Sequence, residues 1–243
     1  MWPILVQWNG LILYSYPLFI GLAWGLGFRL CESQLPVGIS SRGFALWFAG
    51  LFISSWIGAK LLFTITQDQY SVIDLVTASN FWLGGGFVFL GGFLGGLVFT
   101  FIASLANAKF SWPNMQFTIV PLLWSHAIGR LGCFLAGCCF GTETNLPWSI
   151  HLHGAARHPV QIYEAMALAI LALALSKWRF HQRFLMAYLL GYGALRWSLE
   201  WLRADEVRGV AWAMSTSQWV ALGMIVLGLS LYFQSLRHKN TLN

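Results

Sequence analysis

Seven mostly apolar runs divide this chain, at roughly 11–30, 43–66, 84–106, 115–136, 160–177, 184–203 and 213–235. A helix needs about 20 such residues to cross the hydrocarbon core of a bilayer. Hydrophobic residues make up 58% of the 243 and charged residues only 9%, more apolar side chain than one soluble core of this length can bury. The expectation is an all-α, polytopic membrane bundle with about seven transmembrane helices, forming a single integral membrane domain over residues 1–243. The connections are short, none is rich in Pro and Ser, and no period of 20 to 50 residues recurs. The opening "MWPILVQWNG" has no basic n-region, so no cleavable signal peptide is expected.

Basic residues set the expected orientation. Arg29 and Arg42 flank the first connection, Lys109 lies in the third, Lys177, Arg179 and Arg183 crowd the fifth, and Arg237 and Lys239 end the chain. In a seven-helix weave these segments fall on one side, which the excess of Lys and Arg marks as cytoplasmic. The opposite connections carry Asp68, Asp74, Glu143, Asp205 and Glu206. The N-terminus is therefore expected outside and the C-terminus in the cytoplasm. The net charge of +6 reports this topology and calls for no nucleic-acid partner.

The few polar residues inside apolar runs carry the functional information. "GRLGCFLAGCCFG" (129–141) holds a permanent cation, Arg130, four residues after His126 and so on the same helical face. A guanidinium at the bilayer centre costs roughly 2.5 to 3.5 kcal/mol on insertion scales, so a partner is required. In "LLGYGALRWSLEWLR", Tyr192, Arg196, Glu200 and Arg203 follow at steps of four, four and three and draw one polar stripe. Between these segments, "RHPVQIYEA" sets Arg157 and His158 before a proline, followed by Gln161, Tyr163 and Glu164 in a first helical turn. Three segments converging with an excess of arginine point to an anionic headgroup, because guanidinium forks match phosphate oxygens.

Purely structural readings stand beside these. Arg196 and Glu200 make an internal ion pair if no ligand is involved, His126 a hydrogen-bonded core histidine, and "GGGFVFLGGFLGG" (84–96) a close-packing surface. The 14 tryptophans read as interfacial belt and helix packing. Cys133, Cys138 and Cys139 lack the C-x-x-C spacing of zinc sites, and adjacent thiols on a helix diverge by about 100°. They read as small packing residues, with no metal expected and no disulfide to Cys31, which falls on the cytoplasmic side.

In combination, "GRLGCFLAGCCFG", "HPVQIYEA" and "GYGALRWSLEWLR" resemble the prolipoprotein diacylglyceryl transferase family, whose hallmark is GR-x-G-N-F-x-N-G-E-x-x-G. The similarity runs from Tyr16 in the first helix to the seventh. It implies a multi-pass enzyme of the bacterial cytoplasmic membrane, moving the diacylglyceryl group of phosphatidylglycerol onto the thiol of a lipobox cysteine and releasing glycerol phosphate. The partners so implied are phosphatidylglycerol or a similar anionic lipid and the prolipoprotein signal peptide. Arg130 matches the signature arginine, Gly129 and Gly141 signature glycines, and Tyr192, Arg196 and Glu200 the late motif. "FVFLGGFLGG" matches an F-H-G-G-L-I-G segment and brings Gly91 and Gly92 into the substrate-binding set with Tyr16, His158, Gln161, Tyr163, Glu164 and Arg203.

Departures accompany the match. Cys133, Ala136 and Cys138 replace two asparagines and a glutamate, and Leu90 stands where a histidine is expected. Leucine accepts no proton. Thioether formation needs a thiolate, so the base is His126, with His158 or Glu164 behind it, or activation is electrostatic, or the acceptor differs. On this reading Arg130 and Arg196 hold the phosphate, Tyr192 and Gln161 orient it, and Glu200 positions Arg196. No metal or organic cofactor is required. A phospholipid-using transferase with another acceptor and a non-catalytic lipid-binding or lipid-translocating protein remain open alternatives.

Overall fold

The computed structural model describes residues 2–8, 11–65, 77, 81, 88–111, 114–177, 183–204, 210–211 and 214–240. Among them are seven α-helices: α1 (Ser15–Glu32), α2 (Ser41–Ile65), α3 (Phe89–Ala106), α4 (Ile119–Ala136), α5 (Val160–Ser176), α6 (Phe184–Glu200) and α7 (Thr216–Asn240). Three stretches are long and apolar enough to cross a membrane, Ser41–Ile65, Gln116–Ala136 and Thr216–Leu236, and two shorter apolar helices cover Gly91–Ala106 and Val160–Ser176. The protein is thus a mostly helical membrane protein. Residues 84–87 of the third expected run lie outside the described residues.

Strictly all-α is too simple, because three antiparallel two-stranded ribbons accompany the helices among the described residues: β1 (Ile4–Trp8) with β2 (Leu11–Tyr14), β3 (Ile150–Leu152) with β4 (Ala155–Arg157), and β5 (Val210–Ala211) with β6 (Met214–Ser215). The run expected as helix from residue 11 is β-strand up to Tyr14, since pairing with β1 satisfies its backbone. Ser15 then starts α1 with its N–H and hydroxyl both donating to the Pro3 carbonyl. The β3–β4 turn has two successive positive φ angles, His153 at 51° and Gly154 at 78°, as tight hairpin turns require.

Two compact units are present, Met1–Cys31 with Gln116–Asn243, and Glu32–Met115. In the first, α4 packs on α5, α5 on α6, and α6 on α7. Its core draws Ile119, Leu123 and Ala127 from α4, Ala165, Leu168, Ala172 and Leu175 from α5, and Phe184 and Tyr192 from α6. Steps of three and four place the α4 set and the α5 set each on one face. Exposed apolar residues such as Ile170, Leu173 and Val226 cover the opposite faces, as lipid contact demands.

In the second unit α2 packs against α3 through bare backbone. A methyl group on Gly58 would collide with the Gly91 carbonyl, and one on Gly91 with the Gly58 carbonyl. Gly92 faces the Ser55 carbonyl, 3.1 Å from where its Cβ would lie. Small residues allow this approach. Lys60 of α2 is fully buried, donates to the Phe81 carbonyl and sits 4.8 Å from the centre of the Phe81 ring.

Candidate active site

α4 ends where Gly137 takes the left-handed conformation (φ 74°) and its N–H caps the carbonyls of Cys133 and Phe134. Before that end, His126, Arg130 and Cys133 share a face at steps of four and three. α5 starts after Pro159, which lacks the N–H that a first turn leaves unpaired, and presents Gln161 and Glu164 three residues apart. α6 presents Tyr192 and Arg196 at a step of four, with Glu200 at its last position. The three polar faces meet inside the first unit.

Glu164 is their centre, 1% exposed. Its Oε1 lies 2.9 Å from Arg130 Nη2, accepts from the Tyr192 hydroxyl at 3.0 Å, and is 3.8 Å from His126 Nε2. Its Oε2 lies 3.6 Å from Arg196 Nη1. Arg196 Nη2 in turn sits 3.0 Å from Glu200 Oε2 and donates to Ser217 Oγ, in the first turn of α7, at 2.8 Å. The His126 ring meets Tyr192 edge-on at 5.1 Å, and Tyr188 stacks on Tyr192 at 5.7 Å. Each buried ion would cost several kcal/mol alone, so the opposed charges hold one another in place. Arg130 Nε and Gln161 Oε1 are buried with no hydrogen-bond partner among the described residues.

Arg203 departs from the helical stripe expected for it. α6 ends at Glu200, the chain turns, and Arg203 bridges Gly141 in extended backbone. That bridge, with Thr142 donating to the Leu202 carbonyl and Ala204 to the Phe140 carbonyl, ties the end of α6 to the segment after α4. Gly141 is packed so tightly that a Cβ would lie 2.6 Å from both the Cβ and the carbonyl oxygen of His158. Gly129 has room, its nearest neighbour being Ile20 at 3.8 Å, whereas Gly132 receives α1, with Phe19 Cβ at 2.7 Å and the Tyr16 ring at 3.7 Å from the would-be methyl. Gly91 and Gly92 pack within the second unit, as described above.

His158 and Tyr163 form a separate chain. Trp148 Nε1 donates to the Tyr163 hydroxyl at 2.7 Å, and His158 Nδ1 lies 3.4 Å from the same oxygen. They border an apolar cavity of about 650 Å³, also lined by Phe134, Ile150, Ile162 and Met166, so α4 and α5 are common to it and the charged cluster. Arg157 is committed to the loop, donating to the Leu152 and Gly141 carbonyls and pairing with Glu143 at 3.3 Å.

The cysteines do not diverge as a continuous helix would make them. Beyond Gly137 the backbone folds back, with Cys139 at φ 59°, and the sulfurs of Cys133, Cys138 and Cys139 all lie within 4.8 Å of one another. Gln161 Nε2 pins the loop by donating to the Cys138 carbonyl at 2.6 Å. A left-handed non-glycine residue costs about 1–3 kcal/mol. Hydrogen bonds from the Cys133 and Cys138 thiols, and then the charges of Arg203 and Arg130, hold the Cys139 thiol below the usual range.

A family profile described as prolipoprotein diacylglyceryl transferase matches residues 3–234. The chain belongs to that family. A phosphatidylglycerol–prolipoprotein diacylglyceryl transferase of Clostridium tetani is 31% identical over 252 aligned positions, covering 96% of this chain and 97% of the relative. One from Coxiella burnetii is 29% identical with 98% and 94% covered, and one from Campylobacter lari 28% identical with 94% and 89% covered. Within this diacylglyceryl transferase family member, sequence reasoning missed two features: the central place of Glu164, expected as a substrate-binding residue and a reserve base, and Ser217 beneath Arg196. Ser217 carries no signal in a single sequence. Glu164 carried one, as the sole carboxylate inside the fifth apolar run.

Proposed function

We propose that this protein transfers the diacylglyceryl group of phosphatidylglycerol to the thiol of a lipobox cysteine in a prolipoprotein, releasing glycerol phosphate. It does so as a seven-span protein of the bacterial cytoplasmic membrane, N-terminus outside and C-terminus inside. Family membership supports the reaction. The distribution of Lys and Arg supports the orientation, and the 17- and 18-residue helices, about 26 Å long, approach the thickness of a hydrocarbon core.

One observation carries the site: guanidiniums from α4 and α6 converge on the buried Glu164, while Arg130 Nε has no hydrogen-bond partner among the described residues. Three guanidiniums, counting Arg203, accompany two carboxylates, so one headgroup phosphate brings the cluster close to neutrality. In the reaction the acceptor sulfur attacks the glycerol carbon bearing the phosphate. The C–S bond forms, the C–O bond breaks, and its electron pair stays on the departing phosphate oxygen. Arg130 and Arg196 stabilise that growing charge more than the ground state. Glu164 and Glu200 hold the two guanidiniums in position, so their own negative charge is occupied. His126 takes the thiol proton: its ring packs edge-on against Tyr192, and unlike Glu164 it is not neutralised by two arginines. His158 faces the apolar cavity, which provides a wall for the lipid chains.

The test uses purified protein, phosphatidylglycerol vesicles and a lipobox peptide. Glycerol phosphate release with a thioether on the peptide is the expected result. Lipid exchange between leaflets without release identifies a translocator, and lipid binding alone a non-catalytic protein.

A further inference from the structure

We propose that Cys133, Cys138 and Cys139 form a three-sulfur binding site for a soft d10 cation, Zn2+ or Cu+. The proposal is independent of the transferase reading, because its readout is metal binding.

The argument is geometric. A cation 2.3 Å from three sulfurs in a plane holds them about 4 Å apart, and these sulfurs already lie within 4.8 Å of one another. No pair of sulfurs needs to approach by more than about 0.8 Å. The arrangement is built by the backbone: Gly137 ends α4, Cys138 N–H donates to the Cys133 carbonyl at 3.2 Å, and Cys139 takes a left-handed conformation that few residues other than glycine adopt. Gln161 holds the Cys138 carbonyl from α5. None of the three is in a disulfide, Cys133 is buried, and Cys138 opens to the surface, giving an ion a way in.

The chemistry fits as well. Thiolates select Zn2+ and Cu+ over hard cations. Binding forms three metal–sulfur bonds and displaces the thiol protons, with no change of oxidation state. The resulting complex is anionic, and the charges of Arg130 and Arg203 reach Cys139 to balance it. A filled site cross-links the last turn of α4 to the loop after it, and two of its three ligands, Cys133 and Cys138, stand where the family signature carries asparagine and glutamate.

The test is titration of reduced full-length protein in detergent with Cd2+, read by the ultraviolet thiolate-to-metal charge-transfer band and by proton release. One Cd2+ per chain is expected, with competition by Zn2+ and Cu+ in separate arms distinguishing the two natural ions. Cys138→Ser, on an exposed residue, and Cys139→Ser each weaken binding by at least about tenfold, while Cys31→Ser leaves it unchanged. Absence of the band with all four thiols titrating as free overturns the proposal. So does a band that survives in Cys138→Ser and Cys139→Ser, or a stable disulfide within the cluster that reforms on removal of reductant and excludes the metal.

Discussion

Arg130 and Arg196, 66 positions apart in the chain, reach opposite oxygens of one carboxylate: Arg130 Nη2 is 2.9 Å from Glu164 Oε1, and Arg196 Nη1 3.6 Å from Glu164 Oε2. Glu164 is therefore the joint through which α4 and α6 set the spacing of the two guanidiniums. Removing its charge leaves two buried cations facing each other. Glu164→Gln is predicted to destabilise the protein by about 3–5 kcal/mol, visible as a lower Tm in detergent, and to lose turnover. An unchanged Tm would show that the carboxylate does not hold the arginines.

Arg130→Gln removes the guanidinium and its charge but keeps a polar, hydrogen-bonding side chain. With Arg130 stabilising the departing phosphate, kcat falls by about 10²–10³-fold or more, while membrane insertion and the elution profile stay those of the parent. Near-normal glycerol phosphate release by this variant would end the assignment.

Arg196→Lys separates charge from geometry. Lysine retains the cation but cannot reach Glu164, Glu200 and Ser217 together as the guanidinium does. The prediction is a loss of at least about tenfold in kcat/KM with little change in expression, and Ser217→Ala shows a smaller loss in the same direction.

His126→Ala tests the base through pH. An unperturbed thiol ionises near pH 8.5, so the acceptor needs a base below that pH and provides its own thiolate above it. The deficit of the variant is largest at low pH and shrinks as pH rises. A variant profile parallel to that of the parent would remove His126 from proton transfer.

Gly141→Ala probes the strap between the loop after α4 and the end of α6. Its methyl group would sit 2.6 Å from His158, an overpacking cost of about 1–3 kcal/mol. The readout is faster proteolysis within residues 142–157, together with reduced transfer. Gly129→Ala, where the nearest atom is 3.8 Å away, keeps parental stability and separates packing from lipid contact.

The sequence by itself determined the solvent and the cast of residues. Apolar runs of this length favour helices, which satisfy their own backbone groups in lipid, and a step of four alone put His126 with Arg130 and Tyr192 with Arg196. Only the tertiary structure decided what those faces meet. That Glu164 lies between two arginines depends on how α4, α5 and α6 rotate against one another, and helical periodicity carries no information about neighbouring helices. Arg203 and the cysteines changed place because their helices stop short of them: α6 ends at Glu200, beyond which Leu202 and Ala204 pair with the distant backbone of Thr142 and Phe140, and α4 ends at Ala136 on the left-handed Gly137 cap, after which helical spacing no longer applies.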